Sequence, residues 1–363
     1  MEEISLSETW LSNCTNTSNS AFNDDYRCLA IFYGRTVAAC LSIAGCCLVL
    51  FMIVLYRKYR YFTNRMIVSL LLPTIVISSV YSYQNNIDRT GIYCQISGFL
   101  DNFCTLSQRL LILCIVIHLV VFTIYDIRPR NMELIFHLVV WPFSLCLSVI
   151  PIYGHHYGGA GTWCWIKNKT PYENLLRLLC VYLWLILCVL IEIVCFAMIV
   201  SKIHWQLKQF RSDGYCPRLK ADKKRLYKKY VYPLLLYPLV NIVIAVPVTV
   251  NRFQNWIRPN DPVFVLYFLH CTLYPLWGFC NAVMYFTNKE TLRQLHPCSI
   301  LNEIKTSWTR NTSSLETTSS PRADFQYVDE NYATDSHIVN HANTSSMLES
   351  EERNSSESYT YME

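Results

Sequence analysis

Seven stretches of the chain, at about 31–56, 64–83, 94–125, 132–152, 173–203, 230–250 and 262–286, are each long and apolar enough to cross a membrane. About 20 apolar residues in a helix cover the roughly 30 Å hydrocarbon core of a bilayer. A backbone in that core has no water to bond to, so such a run folds as a helix that satisfies its own N–H and C=O groups. The reading is an all-α membrane protein, a seven-transmembrane-helix bundle over residues 31–298 that ends in a short interfacial eighth helix. It carries an extracellular N-terminal segment at 1–30 and a disordered cytoplasmic tail at 299–363. Pro73, Pro142, Pro233, Pro238, Pro247 and Pro275 fall inside the spans and mark kinks.

Charge sets the orientation. Only 16% of the residues are charged, against about 25% in a soluble domain. The first loop holds Arg57, Lys58, Arg60 and Arg65, and ten Lys/Arg lie between Lys202 and Lys229. The opposite loops hold Arg27, Arg89, Lys167, Lys169, Arg252 and Arg258. Basic loops stay in the cytosol, which puts the N-terminus outside and, with an odd number of spans, the C-terminus inside. The net charge of +5 sits in short loops between apolar blocks, so it is no sign of nucleic-acid binding. The first residues are acidic and lack a basic and an apolar region, so no cleaved signal peptide is expected. Sequons at Asn13, Asn16 and Asn168 fall on the outer side and are the glycosylation candidates, whereas Asn311, Asn343 and Asn354 fall inside.

Most of the 17 cysteines lie within apolar runs and read as small hydrophobes. Cys94 and Cys164 are different, since both face the oxidising side, and a bridge between them would tie the second outer loop over the mouth of the bundle. Cys14 and Cys28 form a possible second bridge, with unpaired thiols as the alternative. No metal spacing, GxSxG, HExxH or P-loop appears, so neither enzyme chemistry nor a cofactor is expected. The last span has no lysine between Val263 and Thr287, which argues against a retinal Schiff base.

At the inner end, Leu292 and Leu295 sit three apart with Lys289, Glu290 and Arg293 on the other face, a pattern that suits an interfacial helix. Cys298 follows it, as a palmitoylation candidate or a free thiol. The tail from Ser307 is too poor in large aliphatic residues to fold alone. Its Ser/Thr clusters are candidates for phosphorylation, or are solvated linker. Within the spans, Asp101, Asn102, Gln108, Arg109, Arg177, Glu192, Asn241, His270 and Asn281 are polar. They either line a ligand cavity and an inner switch or join helices by hydrogen bonds. Arg109 lies about 22 Å along its helix from Cys94, deep enough to require an acidic partner or water.

Three segments carry a family resemblance. The outer loop reads WCWI at 163–166, the sixth span reads YPL at 237–239 and ends in Asn251 and Arg252, and the seventh reads WGFCNAVMY at 277–285. Over about 31–296 the chain resembles the cyclic-AMP-receptor-like G-protein-coupled receptors and, more loosely in the seventh span, the secretin family. It departs from the rhodopsin-like pattern, with no DRY after the third span, no CWxP in the sixth, and Pro73 where many receptors place an acid.

The resemblance implies a two-state bundle in the plasma membrane. An extracellular ligand of unknown identity would act near Asp101, Trp165 and Arg252. A heterotrimeric G protein would meet Arg128, Lys223, Lys224 and Arg225, and arrestin and receptor kinases would read the tail. A phosphate ligand would need cations, for which Arg109, Arg177 and Arg252 are the candidates. The basic inner loop also suits anionic membrane lipids. The alternatives are a seven-helix transporter or channel, and a membrane scaffold acting through its tail.

Overall fold

The computed structural model describes residues 25–84, 91–125, 132–160, 163–167, 172–212, 232–258, 263–287 and 289–316. The chain runs α1 (Asp25–Leu55), a 3₁₀ turn (Lys58–Arg60), α2 (Phe62–Tyr83), α3 (Ile92–Tyr125) and α4 (Met132–Tyr153). A hairpin of β1 (Tyr157–Gly159) and β2 (Cys164–Ile166) follows. Then α5 (Glu173–Arg177) continues through a π turn (Leu178–Tyr182) into α6 (Leu183–Ser212), and next comes α7 (Tyr232–Ile257). Four shorter elements close the described chain: α8 (Phe264–Leu273), α9 (Trp277–Phe286), α10 (Lys289–Gln294) and α11 (Pro297–Glu316).

Among the described residues, six helical runs are long and apolar enough to cross a membrane: α1, α2, α3, α4, the run from Glu173 to Trp205, and α7. The expected seventh span, 262–286, differs. It is two ten-residue helices, α8 and α9, parted by a turn at Tyr274, Pro275 and Leu276. Pro275 has no N–H to donate, and its ring displaces the carbonyl four residues back, so the ladder restarts at Trp277. Both halves pack along α1. Gly278 allows the close approach: a Cβ there would come within 2.9 Å of the Thr74 side chain and would also meet Ser42 and Cys46.

Helix α3 is the axis of the fold, packing against α2, α4, α6, α7 and both strands. Its polar residues Asp101, Asn102, Ser107, Gln108 and Arg109 are therefore buried. The main apolar core lies around Met52, Ile53, Leu70, Leu71, Leu111 and Ile112. In contrast, α4 and α6 turn Leu134, Leu138, Leu190 and Val194 outward. A helix that is apolar all round and bare on one side suits a lipid surround.

Three boundaries differ from the sequence reading. Helix α1 begins at Asp25 rather than 31, within the segment expected to be extracellular. Helix α7 runs past the expected end at 250, so Arg252 stands on a helix and not in a loop. Residues 299–316, expected in the disordered tail, are helical as part of α11, because their apolar residues recur at helical spacing. Contacts group residues 1–304 into one unit and 305–363 into a second, and the boundary falls within α11.

Candidate functional site

The end of the bundle that carries the cystine is knitted together by the hairpin. A disulfide joins Cys94 in the first turn of α3 to Cys164 in β2. Gly98, one turn along, leaves room for the hairpin, because a Cβ would come within 3.1 Å of the Trp165 Cα. The Trp165 indole N–H donates to Asn102 at 3.2 Å, and the Asn102 amide donates to the Ser148 hydroxyl at 3.2 Å. The Tyr157 hydroxyl donates to the Ser148 carbonyl at 2.8 Å. Hairpin, α3 and α4 are thus one polar joint, and burial of Tyr157 in it raises the phenol's pKa. Arg177 donates to the Ile166 carbonyl at 2.7 Å and lies 3.8 Å from the Glu173 carboxylate.

Two tryptophans of this hairpin hold cations. The Arg252 guanidinium lies 4.2 Å from the Trp163 ring centre and 5.3 Å from that of Trp165, and Arg177 lies 5.5 Å from Trp165. Such contacts draw on the negative face of the indole. Arg252 also faces Asp101, which interacts with Tyr81. The second carboxylate oxygen of Asp101 is buried with no hydrogen-bond partner among the described residues. Beside Arg252, Asn251 shares a hydrogen bond with His270 at 3.0 Å, and Trp163 packs on His270 and Tyr267 at 5.2 and 5.3 Å. Buried Arg35 borders Tyr81, Tyr267 and Cys271. Asp101, Trp165, Arg177 and Arg252 from the sequence reading therefore meet in one place, where positive charge outweighs negative. Arg109 does not join them.

Arg109 sits deeper, 5.4 Å from the Trp277 ring centre, facing Glu192 of α6. Glu192 accepts a 2.6 Å hydrogen bond from the Asn241 amide of α7. Helices α3, α6, α7 and α9 thus converge on one buried polar cluster, and Glu192 and Asn241 have no exposed surface. The cluster is under-satisfied: one Arg109 nitrogen, one Glu192 oxygen and the Trp277 indole N–H have no hydrogen-bond partner among the described residues, and neither do the two polar atoms of buried Asn281, four residues further along α9. Buried polar groups left unpaired are costly. Alongside it, Gln108 donates to Thr74 at 2.6 Å, and Thr105 bonds Tyr274 at the break of the seventh span.

At the opposite end, the first loop is latched to α10. The Tyr56 hydroxyl donates to the Gln294 carbonyl at 2.8 Å, and Lys58 donates to Thr291 at 3.3 Å while lying 5.6 Å from the Tyr285 ring centre. Arg65 pairs with Glu133 at 2.7 Å. Cys298 is an exposed thiol at the start of α11. Asn13, Cys14, Asn16, Arg128, Asn168, Lys223, Lys224 and Arg225 lie outside the described residues. Cys28 is itself disulfide-bonded. Sequence reasoning missed Trp163 and Trp277 as platforms for cations. Trp163 stands two residues before Trp165, and side chains on an extended segment repeat every two residues, so that signal was present.

No family model matches the chain. The chain is similar to "Cyclic AMP receptor-like protein A" of Dictyostelium discoideum, 28% identical over 251 residues, which is 69% of this chain. The match spans 62% of that relative's length. It is also similar to "G-protein coupled receptor 1" of Arabidopsis thaliana, 24% identical over 264 residues, which is 72% of this chain and 79% of that protein. The six membrane-length helices together with these relatives mark a multi-pass membrane protein. The chain is thus similar to one protein named as cyclic-AMP-receptor-like and to another named as a G-protein-coupled receptor, the kinds of protein that its WCWI, YPL and WGFCNAVMY segments resemble.

Proposed function

We propose that the chain is a G-protein-coupled receptor in which α8 and α9 together form the seventh span and the cystine end faces outside. A ligand would enter beside Trp165, Arg177, Arg252 and Asp101, and the end that carries the first loop and α10 would face the cytosol. One observation carries this reading: α7 is tied at both levels. Its Arg252 is held by the hairpin tryptophans, and its Asn241, about 16 Å away along the helix, holds Glu192 of α6. Pro247 lies between the two ties and Pro238 just beyond the inner one. A ligand that prefers one placement of Arg252 shifts α7 by its difference in affinity for the two states. The Asn241–Glu192 contact then breaks or holds. Arg128, Lys223, Lys224 and Arg225 would meet a heterotrimeric G protein, and the tail would serve receptor kinases and arrestin. Asn13, Asn16 and Asn168 would be glycosylated, Cys298 palmitoylated, and the site of action the plasma membrane.

The test is nucleotide exchange on a panel of G proteins in membranes holding the purified chain. Asn241→Leu, which unties α7 from α6, is expected to raise basal exchange with at least one G-protein class. Exchange on no class, by wild type or variant, would remove the receptor reading. Solute or ion flux through the same liposomes would put a transporter or channel in its place.

A further inference from the structure

A groove runs along the outer side of the bundle where α1 meets α9. Buried Gly45 and Ala282 form its floor, and exposed Leu41, Leu48, Phe279 and Val283 form its walls. Small residues between large ones leave the hollow, which holds about 600 Å³ and is of the size that small-molecule sites have. Leu295, just after α10, also borders this groove. It lines a second hollow of about 510 Å³ as well, together with Leu292, Arg293, His296 and Ser299. The two hollows therefore adjoin.

The second hollow is polar where the first is apolar. Arg293 and His296 are exposed, and Arg293 makes no ion pair among the described residues. No acidic residue lines the hollow. The latch described above holds it in place: Tyr56 and Lys58 fix α10 to the first loop, and Leu295 packs against the main core. Lys58 also brings a further cation to this end. A cation beside an apolar groove, at the boundary of a span, is complementary to a molecule with an anionic head and an apolar tail.

We propose that the two hollows are one site for an anionic glycerophospholipid of the leaflet at the first-loop end. One acyl chain lies in the α1–α9 groove, and the phosphate rests against Arg293 and Ser299. The groove alone selects nothing, because lipid tails are as apolar as its leucines. Discrimination comes from the head. The cation favours a lipid of net negative charge, and with no acid in the lining the ammonium of a zwitterionic headgroup has no partner there. An apolar helix of a second copy would fill the groove but offer nothing to Arg293. The inference requires only that the chain spans a membrane and is independent of G-protein signalling.

The experiment encodes a photo-crosslinking amino acid at position 283 of the full chain, reconstituted into phosphatidylcholine liposomes with a minor share of phosphatidylserine. Adducts formed on illumination are identified by mass spectrometry. Phosphatidylserine should be captured about fivefold above its share, the worth of one cation near an anionic lipid. Arg293→Gln should return capture to the bulk share. Ala44→Trp, which fills the groove from an exposed position, should reduce lipid capture several-fold. Position 138 is the control, since Leu138 is exposed on α4 towards the same end, where Glu133 pairs with Arg65. The same amino acid there should capture lipids in their bulk proportions in the wild type and both variants. Phosphatidylserine captured at its bulk share at position 283, or equally enriched at 138, would overturn the proposal in favour of unselective lipid contact. Adducts to a second copy would overturn it in favour of an interface between copies. Adducts to an acyl group on Cys298 would overturn it in favour of a lipid that the chain itself carries.

Discussion

Replacing Asn241 by leucine tests the buried cluster directly. Asn241 has no exposed surface and donates to the Glu192 carboxylate at 2.6 Å, while the other Glu192 oxygen has no hydrogen-bond partner among the described residues. Interhelical hydrogen bonds in membranes average about 0.6 kcal/mol and reach about 1.7 kcal/mol. This one has a carboxylate acceptor, which strengthens it, and its loss strands a buried acid, so the upper end of about 1.5 kcal/mol applies. Glu192→Met alone should also destabilise, because it strands Asn241 and takes from Arg109 the acid it faces. The double variant removes both partners and should cost clearly less than the sum, since replacing a whole polar pair by apolar groups is often close to neutral. The assay is a thermal melt read with a thiol-reactive dye, for which the buried thiols of Cys46, Cys104, Cys180, Cys188 and Cys271 become available only on unfolding. Losses that add to within about 0.5 kcal/mol would mean that the two residues are not coupled, and the contact would then have no energetic weight.

Two further outcomes follow from the same geometry. Cys94→Ser with Cys164→Ser opens a loop of sequence separation 70, which the chain-entropy account values at about 4.4 kcal/mol at most. The dye melt should fall by several degrees, and an unchanged midpoint would show that the hairpin is held by its hydrogen bonds alone. Tyr56→Phe removes the donor to the Gln294 carbonyl and should cost about 1 kcal/mol. It should also speed hydrogen exchange at Leu295, whose amide bonds within the end of α10, and unchanged protection there would refute the latch.

Much of the frame was legible in the residue string. A membrane span is a local property, because apolar length and missing charge are enough to identify it. Six of the seven expected spans therefore appear near their expected places. The break in the seventh was marked by Pro275, but whether a proline bends a helix or divides it depends on the neighbours that accept the freed carbonyls. The helical stretch at 299–316 was hidden by its composition, since a serine- and threonine-rich polar arc resembles unstructured tail until the spacing of Ile300, Leu301 and Ile304 is weighed.

The membrane class, the approximate spans and the WCWI, YPL and WGFCNAVMY segments were determined by the sequence by itself, because each is a run of neighbours along the chain. Which polar residues belong together was decided only by the tertiary structure. Arg109 was a ligand candidate in the sequence, yet it faces Glu192 and Trp277, whereas Arg252, expected in a loop, is held on α7 between two tryptophans. The physical reason is that helix rotation and tilt choose which face of α3 meets α6, α7 or the hairpin. Those angles come from packing over the whole bundle, and no stretch of sequence carries them alone.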